Sequence, residues 1–565
     1  MNQKPWLDSY PPHVKWNQKF KGKPLHNLID DTAAIIPQNV ALDFMGKTWT
    51  YGDVEKAVKA ACKSFQDMGV KKGVKVGIFL PNCPQFMIVF FAVLKAGGTV
   101  VSYSPLYSEP ELLYQVNDSQ TEFIITLDLA SLYSKIRRVV EKSNVKKLIV
   151  SNFSDILPFS KKILFNVFKR SLIAEIIKDD FHVDYNSLLG NNGDYKVVKI
   201  NPDKDIALLQ YTGGTTGIPK GAMLTHSNLY INMLQIEGWP PDIHFGRESV
   251  VAFLPFFHIF ALTVILNFGV KVGARIIIVP KFELEDAIRL MTNEKITLFA
   301  GVPTIFTALA NHQNADKIGI SKIKMAMSGG APLPVTLRQQ YRDRWNIDIT
   351  EGYGLTETSP VTHASPMGNV GSRAGSVGLP LPATEVFIMD RKNEGVMLPP
   401  GESGEICIRG PQVMKGYWKN PSATAAVMFG DILKTGDVGY IDKEGYTFIM
   451  DRDKDLILVG GFNVFPRTIE EAINKHPLVE EVTVIGIPDD YLGETPKAFV
   501  KLRDLVGTLN EEDLLAFIRS KIGKHELPSQ IEFRDKLPKT MIGKLSKKEL
   551  LSEEKAKYEA KKISK

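Results

Sequence analysis

Several features that would take this chain out of the ordinary globular enzymes are scarce or missing. Three cysteines, Cys62, Cys83 and Cys407, stand far apart in 565 residues. They form neither a disulfide framework nor a metal-ligand cluster, and they suit a reducing compartment. No apolar run is long enough to cross a bilayer. The most apolar one, Phe86 to Val101, is broken by Lys95 and Gly97-Gly98 and predicts a buried helix followed by a strand. A strong excess of one charge is lacking too: a net +6 over this length gives no case for nucleic acid as a partner. The opening stretch, MNQKPWLDSYPPHVKW, has prolines and charges where a signal peptide needs an apolar core. The expected location is therefore cytoplasmic.

What is present is a globular composition, 44% hydrophobic and 23% charged. The length calls for two to four structural units. Residues 40–130 and 250–310 alternate strand and helix patterns, which predicts an α/β fold with layered, mostly parallel sheets and helices on their faces. Residues 41–44 and 48–50 read as a small hairpin, 51–68 as an amphipathic helix. Ser160 to Asp179 reads as a basic amphipathic helix, with Leu164, Phe168, Leu172 and Ile176 on one face and Lys161, Lys162, Lys169 and Arg170 nearby. Its simpler reading is a surface helix docked on its own domain; the other is peripheral association with the inner face of a membrane. The run Asp451-Arg-Asp-Lys-Asp455 has no apolar residue and is placed as a hinge. Beyond it, helix and strand patterns build a small α+β unit. The expected domains are 1–451 and 456–565, joined through 452–455.

The densest chemistry lies in Tyr211-Thr-Gly-Gly-Thr-Thr-Gly-Ile-Pro-Lys-Gly221. Glycines let backbone N–H groups converge on an anion, threonine hydroxyls add donors, and Lys220 adds a positive charge. The stretch lacks the Gly-Lys-Ser/Thr of a Walker loop and joins two strands, so no helix dipole assists it. A polyphosphate cradle is the reading, with a flexible glycine turn as the bland alternative.

Other stretches are weaker alone. In Glu351-Gly-Tyr-Gly-Leu-Thr-Glu-Thr358, Tyr353 offers a ring face to a base and Glu357 an oxygen ligand for Mg2+. Ser328-Gly-Gly-Ala-Pro332 permits close backbone approach to an adenine edge. Asp437 in Thr435-Gly-Asp437 suits a ribose diol, with Arg452 as a second contact. His258 lies in Phe256-Phe-His-Ile-Phe260, where a core histidine competes with one shaping an acyl pocket. His226 reads as part of a helix start. Lys544, after Gly543 in Leu537-Pro-Lys-Thr-Met-Ile-Gly-Lys544, reads locally as one more solvated lysine.

In this order, the 211–221 loop, EGYGLTET, TGD, DRDKD and PKTMIGK resemble the adenylate-forming superfamily, over roughly Leu42 to Leu550. KPWLDSYP, LPNCPQ at 80–85, AGVPT at 300–304, GPQVMKGYW at 410–418 and LILVGGFNVFP at 456–466 resemble its bacterial long-chain fatty-acid–CoA ligases. The resemblance implies a large N-terminal domain with a small β-barrel-like part, and a small mobile C-terminal domain. It also implies a ligase that uses ATP, Mg2+ and coenzyme A to turn a fatty acid into acyl-AMP and then acyl-CoA.

By that resemblance, Thr212, Gly213, Gly214, Thr215, Thr216, Gly217 and Lys220 hold phosphates, with Glu357 and Thr216 at the metal and Thr356 on phosphate. Gly329, Gly330 and Tyr353 flank adenine, and Asp437 and Arg452 take the ribose. Lys544 bridges carboxylate and α-phosphate, Lys454 is the hinge, and Gly460 and Gly461 line a coenzyme A channel. Gly301, Val302 and Pro303, with His258, are assigned to the acyl pocket. Ile542 departs from the Ser or Thr of many relatives, which leaves a side-chain hydrogen bond there in doubt. A medium-chain or aryl acid–CoA ligase, an acyl-AMP ligase loading a carrier protein, and a nucleotide-binding regulator without turnover are the competing readings. A homodimer is allowed but nothing demands it.

Overall fold

The computed structural model describes residues 4–212, 218–367, 371–460, 462–489, 491–503, 509–540 and 543–563. Among these, four sheets carry the architecture. One has seven strands in the order His182–Asp184, Lys147–Ser151, Thr121–Leu127, Lys75–Ile78, Thr99–Ser102, Ile206–Thr212 and Lys220–Thr225. Only its last pair is antiparallel. The second has nine, with Ile349–Gly354, Met325–Gly329, Leu298–Gly301, Ser249–Ala252, Arg275–Ile278 and Val40–Phe44 parallel at its centre and antiparallel strands at both edges.

Local signals start the helices where the pattern predicts. Thr50 and Asp53 form a reciprocal capping box that begins Tyr51–Asp67. Pro84 opens Pro84–Lys95, all of whose residues are buried. The single charge in that helix, Lys95, pairs with Asp30 at 2.5 Å. The 40–50 hairpin forms as expected and joins the nine-stranded sheet, because Val40–Phe44 also pairs with Arg275–Ile278 over 200 residues away. One element differs from expectation. The helix expected over 160–179 ends at Phe168; Lys169 leaves helical geometry, and a short turn at Arg170–Leu172 follows.

The β-barrel-like part is a five-stranded antiparallel sheet built from Glu385–Met389, Gly404–Arg409, Met428–Phe429, Ile432–Ile441 and Thr447–Arg452. The fourth sheet holds Phe462–Val464, Ile457–Val459, Gly493–Leu502, Val479–Asp489 and Gln530–Phe533. Pro466–Asn474, Glu511–Arg519 and Lys547–Ile563 are its helices. The largest buried apolar cluster runs from Trp6 to Tyr446, and a second runs from Ile457 to Ile531. Among the described residues no helix is long and apolar enough to cross a membrane.

Candidate active site

The carboxyl ends of parallel strands are where open α/β sheets leave a crevice, since the chain departs there in loops. Here the two large sheets meet at such ends. Ser102 Oγ and Gln210 Nε2 both donate to the Phe257 carbonyl, at 3.0 and 3.1 Å. Asn82 ties Ala252, at the end of a strand of the facing sheet, to Leu254 and Phe256 of the segment that follows it. Between them opens a cavity of about 700 Å³, walled also by the antiparallel sheet and by Thr540 and Lys544 of the C-terminal unit.

That cavity gathers residues from along the whole chain. Thr212, Lys220, His258, Gly329, Gly330, Tyr353, Thr356, Glu357, Arg452 and Lys544 all line it. Asp437 stands directly behind: it accepts from the Tyr353 hydroxyl at 2.5 Å and pairs with Arg452 at 3.2 Å. Burial pushes the Asp437 carboxyl up while the Arg452 guanidinium opposes it. Lys544 is lowered to about 8 by burial and by the Arg452 cation. His258 Nδ1 accepts from the Phe260 N–H, and burial with Lys544 nearby holds the ring neutral, down to about 3. A neutral imidazole with Nδ1 accepting carries its proton on Nε2.

Glycines permit the close wall. An added Cβ at Gly354 would stand 1.8 Å from the Pro360 carbonyl oxygen, and one at Gly329 would stand 3.0 Å from the Phe260 ring. The loop from Gly354 to Pro360, which presents Thr356 and Glu357, is closed by the Leu355 N–H on that Pro360 oxygen at 3.1 Å.

Other predicted residues fall elsewhere. Gly301, Val302 and Pro303 do not line this cavity. Gly301 packs against Phe306 and Phe299, and Val302 faces Gly543. Gly460 is exposed at a turn, with its N–H on Leu492 O, and Lys454 is exposed in the Asp453–Asp455 turn. His226 opens His226–Glu237, buried, and its Nδ1 accepts from the Leu25 N–H. Gly213, Gly214, Thr215, Thr216, Gly217, Gly461 and Ile542 lie outside the described residues.

Three residues escaped the sequence reading. Tyr417 donates to Glu357 Oε1 at 2.7 Å, and its ring lies 5.2 Å from Lys220 Nζ. It is held there because the backbone of 415–418 pairs with Gly221 and Met223, at the end of the predicted cradle and just beyond it. Gln210 lines the cavity and carries a buried Oε1 with no protein partner. Thr304 Oγ1 donates to the Gly543 carbonyl at 2.9 Å and so pins the turn that carries Lys544. Tyr417 and Thr304 stand inside GPQVMKGYW and AGVPT, where a hydroxyl beside a glycine or proline was the available signal.

The donor set suits a nucleotide. Two carboxylates, Glu357 and Glu405, line the cavity, and among the described residues no group of three or more His, Cys, Asp or Glu could cage a metal. Mg2+ is held in this way, by one or two carboxylates with phosphate oxygens and waters completing its shell.

Comparison with known proteins agrees. A long-chain-fatty-acid–CoA ligase of Bacillus subtilis is 40% identical over 98% of both chains. One of Escherichia coli is 35% identical over 99% of this chain and 100% of that one. The crystal structure of ATP-bound MatB from Rhodopseudomonas palustris superposes with a TM-score of 0.81 at 27% identity, covering 94% of this chain and 99% of that one. Residues 29–418 match the model described as AMP-binding enzyme and residues 468–544 that of the AMP-binding enzyme C-terminal domain, so the chain belongs to the AMP-binding enzyme family.

Proposed function

We propose that this protein activates a long-chain fatty acid with ATP and passes the acyl group to coenzyme A. A carboxylate oxygen of the fatty acid attacks the α-phosphorus of ATP and pyrophosphate leaves. The coenzyme A thiol then attacks the acyl carbonyl, giving the thioester and AMP. The substrate supplies the nucleophile in the first step, so the protein's part is placement and charge neutralisation. The observation that carries this reading is Lys544, brought from the C-terminal unit into a cavity that also holds Glu357, Arg452 and a neutral His258.

In this reading Lys544 spans the fatty carboxylate and the α-phosphate, where negative charge builds as the new P–O bond forms. Thr212 and Lys220, with the loop between them, hold the β- and γ-phosphates, and Thr356 donates to phosphate. Glu357 holds Mg2+, which neutralises phosphate charge when bound. Tyr353, Gly329 and Gly330 flank the adenine, and Asp437 and Arg452 take the ribose. The His258 Nε2–H faces the acyl carboxylate, with Gln210 beside it. Residues 452–455, with Lys454, act as the hinge on which the C-terminal unit turns between half-reactions. That turn withdraws Lys544 and brings Gly460 and Gly461 to the coenzyme A path. A tunnel wall that includes Gly301, Val302 and Pro303 would lie beyond the cavity described above.

A thioester assay run acid by acid tests the assignment. With palmitate, ATP, Mg2+ and coenzyme A the products are AMP and palmitoyl-CoA; a thioester formed only with aromatic acids moves the assignment to an aryl acid ligase. Transfer only to a carrier protein would assign a loading ligase instead.

Two further outcomes follow from the site's charges. Lys544 acts as a cation, and its lowered value of about 8 belongs to the ligand-free enzyme. Deprotonation above that value removes the charge, so kcat/KM for ATP in acyl-adenylate formation falls as pH rises through about 8. A profile flat to well above that pH contradicts the role. Tyr417→Phe removes the donor that orients Glu357. The Mg2+ concentration for half-maximal rate rises about three- to tenfold, the span of one hydrogen bond, while the KM for coenzyme A stays unchanged. A change in both alike would point to general loosening of the cavity.

A further inference from the structure

The helix Phe159–Phe168 contains no buried residue. Phe159 is 80% exposed, Val167 66%, Phe168 73%, and Ile163, Leu164 and Leu172 are about half exposed. Scattered exposed apolar side chains are normal, but six within one helix and its following turn are not. The helix is nevertheless fixed to the body. Phe165 packs against Phe153 with ring centroids 5.1 Å apart, Lys162 pairs with Asp155 at 2.7 Å, and Lys161 donates to the Met45 carbonyl at 2.8 Å. One face is therefore clamped down and the other stands bare in water.

Charge decides what covers it. Between Asp155 and Glu175 the chain carries Lys161, Lys162, Lys169 and Arg170 and no acidic residue. Lys169 and Arg170 are exposed at the end of the helix, beside Phe168. A second copy of the chain docked by the same face would set these cations against their equivalents, which opposes a symmetric dimer. An anionic bilayer meets both requirements. Its acyl region takes the aromatic and aliphatic side chains, and its headgroups take the cations.

We infer that residues 159–172 are a membrane-docking surface for anionic lipid. The helix lies in the plane of the interface, with Phe159, Leu164, Val167 and Phe168 below the headgroups and Lys169 and Arg170 among them. The docking does not depend on the acyl chemistry proposed above, although a long-chain acid concentrated in the same bilayer would then be presented to the enzyme at its source.

The test is co-flotation of the full-length protein with vesicles of phosphatidylcholine alone and of phosphatidylcholine mixed equally with phosphatidylglycerol. Binding is expected to the mixed vesicles only, and to weaken as salt rises. Phe159→Ser with Phe168→Ser, and separately Lys169→Glu with Arg170→Glu, each lower the bound fraction at least about tenfold. These side chains are exposed, so thermal unfolding and the rate on a short, water-soluble acid stay as in the unmodified protein. Equal flotation of the variants and the unmodified protein overturns the inference. So does a concentration-dependent dimer that the serine substitutions dissolve, because the face would then be a contact between copies. If no carboxylic acid is activated while flotation follows the pattern above, the acyl assignment fails and the docking surface stands.

Discussion

Lys544→Ala lowers acyl-adenylate formation by about a thousandfold and leaves thioester formation from supplied acyl-AMP within about twofold of the unmodified enzyme. The expectation comes from geometry. Lys544 reaches the cavity from a turn tied by the Gly543 N–H on Thr540 O at 2.9 Å and by Thr304 Oγ1 on Gly543 O at 2.9 Å. Its ammonium is one of few mobile cations facing the place where a carboxylate and a phosphate must be pressed together. Two anions approach each other only if a positive charge lies between them, and water is a poor substitute within a walled cavity. In the second half-reaction the anionic phosphate departs from a carbonyl that is already activated, so the same charge has much less to do. The measurement is pyrophosphate release without coenzyme A, set beside thioester formation from synthetic palmitoyl-AMP. Equal loss in both assays would overturn the division of labour proposed for the C-terminal unit.

The second large effect is expected at Gly354. Alanine there places Cβ 1.8 Å from the backbone oxygen of Pro360, an atom that no side-chain rotation can move aside. The same oxygen accepts from Leu355 N–H and closes the loop that presents Thr356 and Glu357. Forcing the two strands of that loop apart costs about 1–3 kcal/mol of stability by overpacking. The catalytic cost is greater, because a displacement of about 1 Å at Glu357 alone is worth on the order of a hundredfold. Gly354→Ala therefore lowers kcat/KM about a hundredfold or more with only a modest fall in melting temperature. Full activity in the variant would mean that the loop opens in the working enzyme and that its closed form is not the one that matters.

Much of this organisation was legible in the chain because the relevant signals are local. The capping box at Thr50 and Asp53, the proline at the head of Pro84–Lys95 and the apolar strands Lys75–Ile78 and Thr99–Ser102 each act within a few residues. Position in a sheet is a different kind of information. Val40–Phe44 announces itself as a strand, but its partner Arg275–Ile278 is set by packing across the whole domain. Site pairs have the same difficulty. Tyr353 meets Asp437 across 84 positions and Tyr417 meets Glu357 across 60, so each partner alone resembles an ordinary turn or surface residue. Lys547–Ile563 is hard to read for another reason: it is mostly charged, and among its described side chains only Leu550 and Glu554 are buried against the rest. A helix of that composition has almost no periodic apolar stripe to read. The 160–179 segment erred the other way, since its apolar periodicity continues past the point where the backbone turns at Lys169.

The helix Pro303–Asn311 meets the C-terminal unit at both of its ends. Thr304 holds Gly543 O, and Asn311 Oδ1 accepts from Arg503 at 3.0 Å. Each bond contributes about 1 kcal/mol net, and the second is exposed to solvent. Swinging a two-state equilibrium from one arrangement almost wholly to the other takes a difference of about 5.5 kcal/mol. Two such bonds fall short of that, so in the proposed cycle the ligand in the cavity, which Lys544 meets at the α-phosphate, has to supply the rest. In that proposal the seam along this helix works as a detent that marks one resting position of the C-terminal unit.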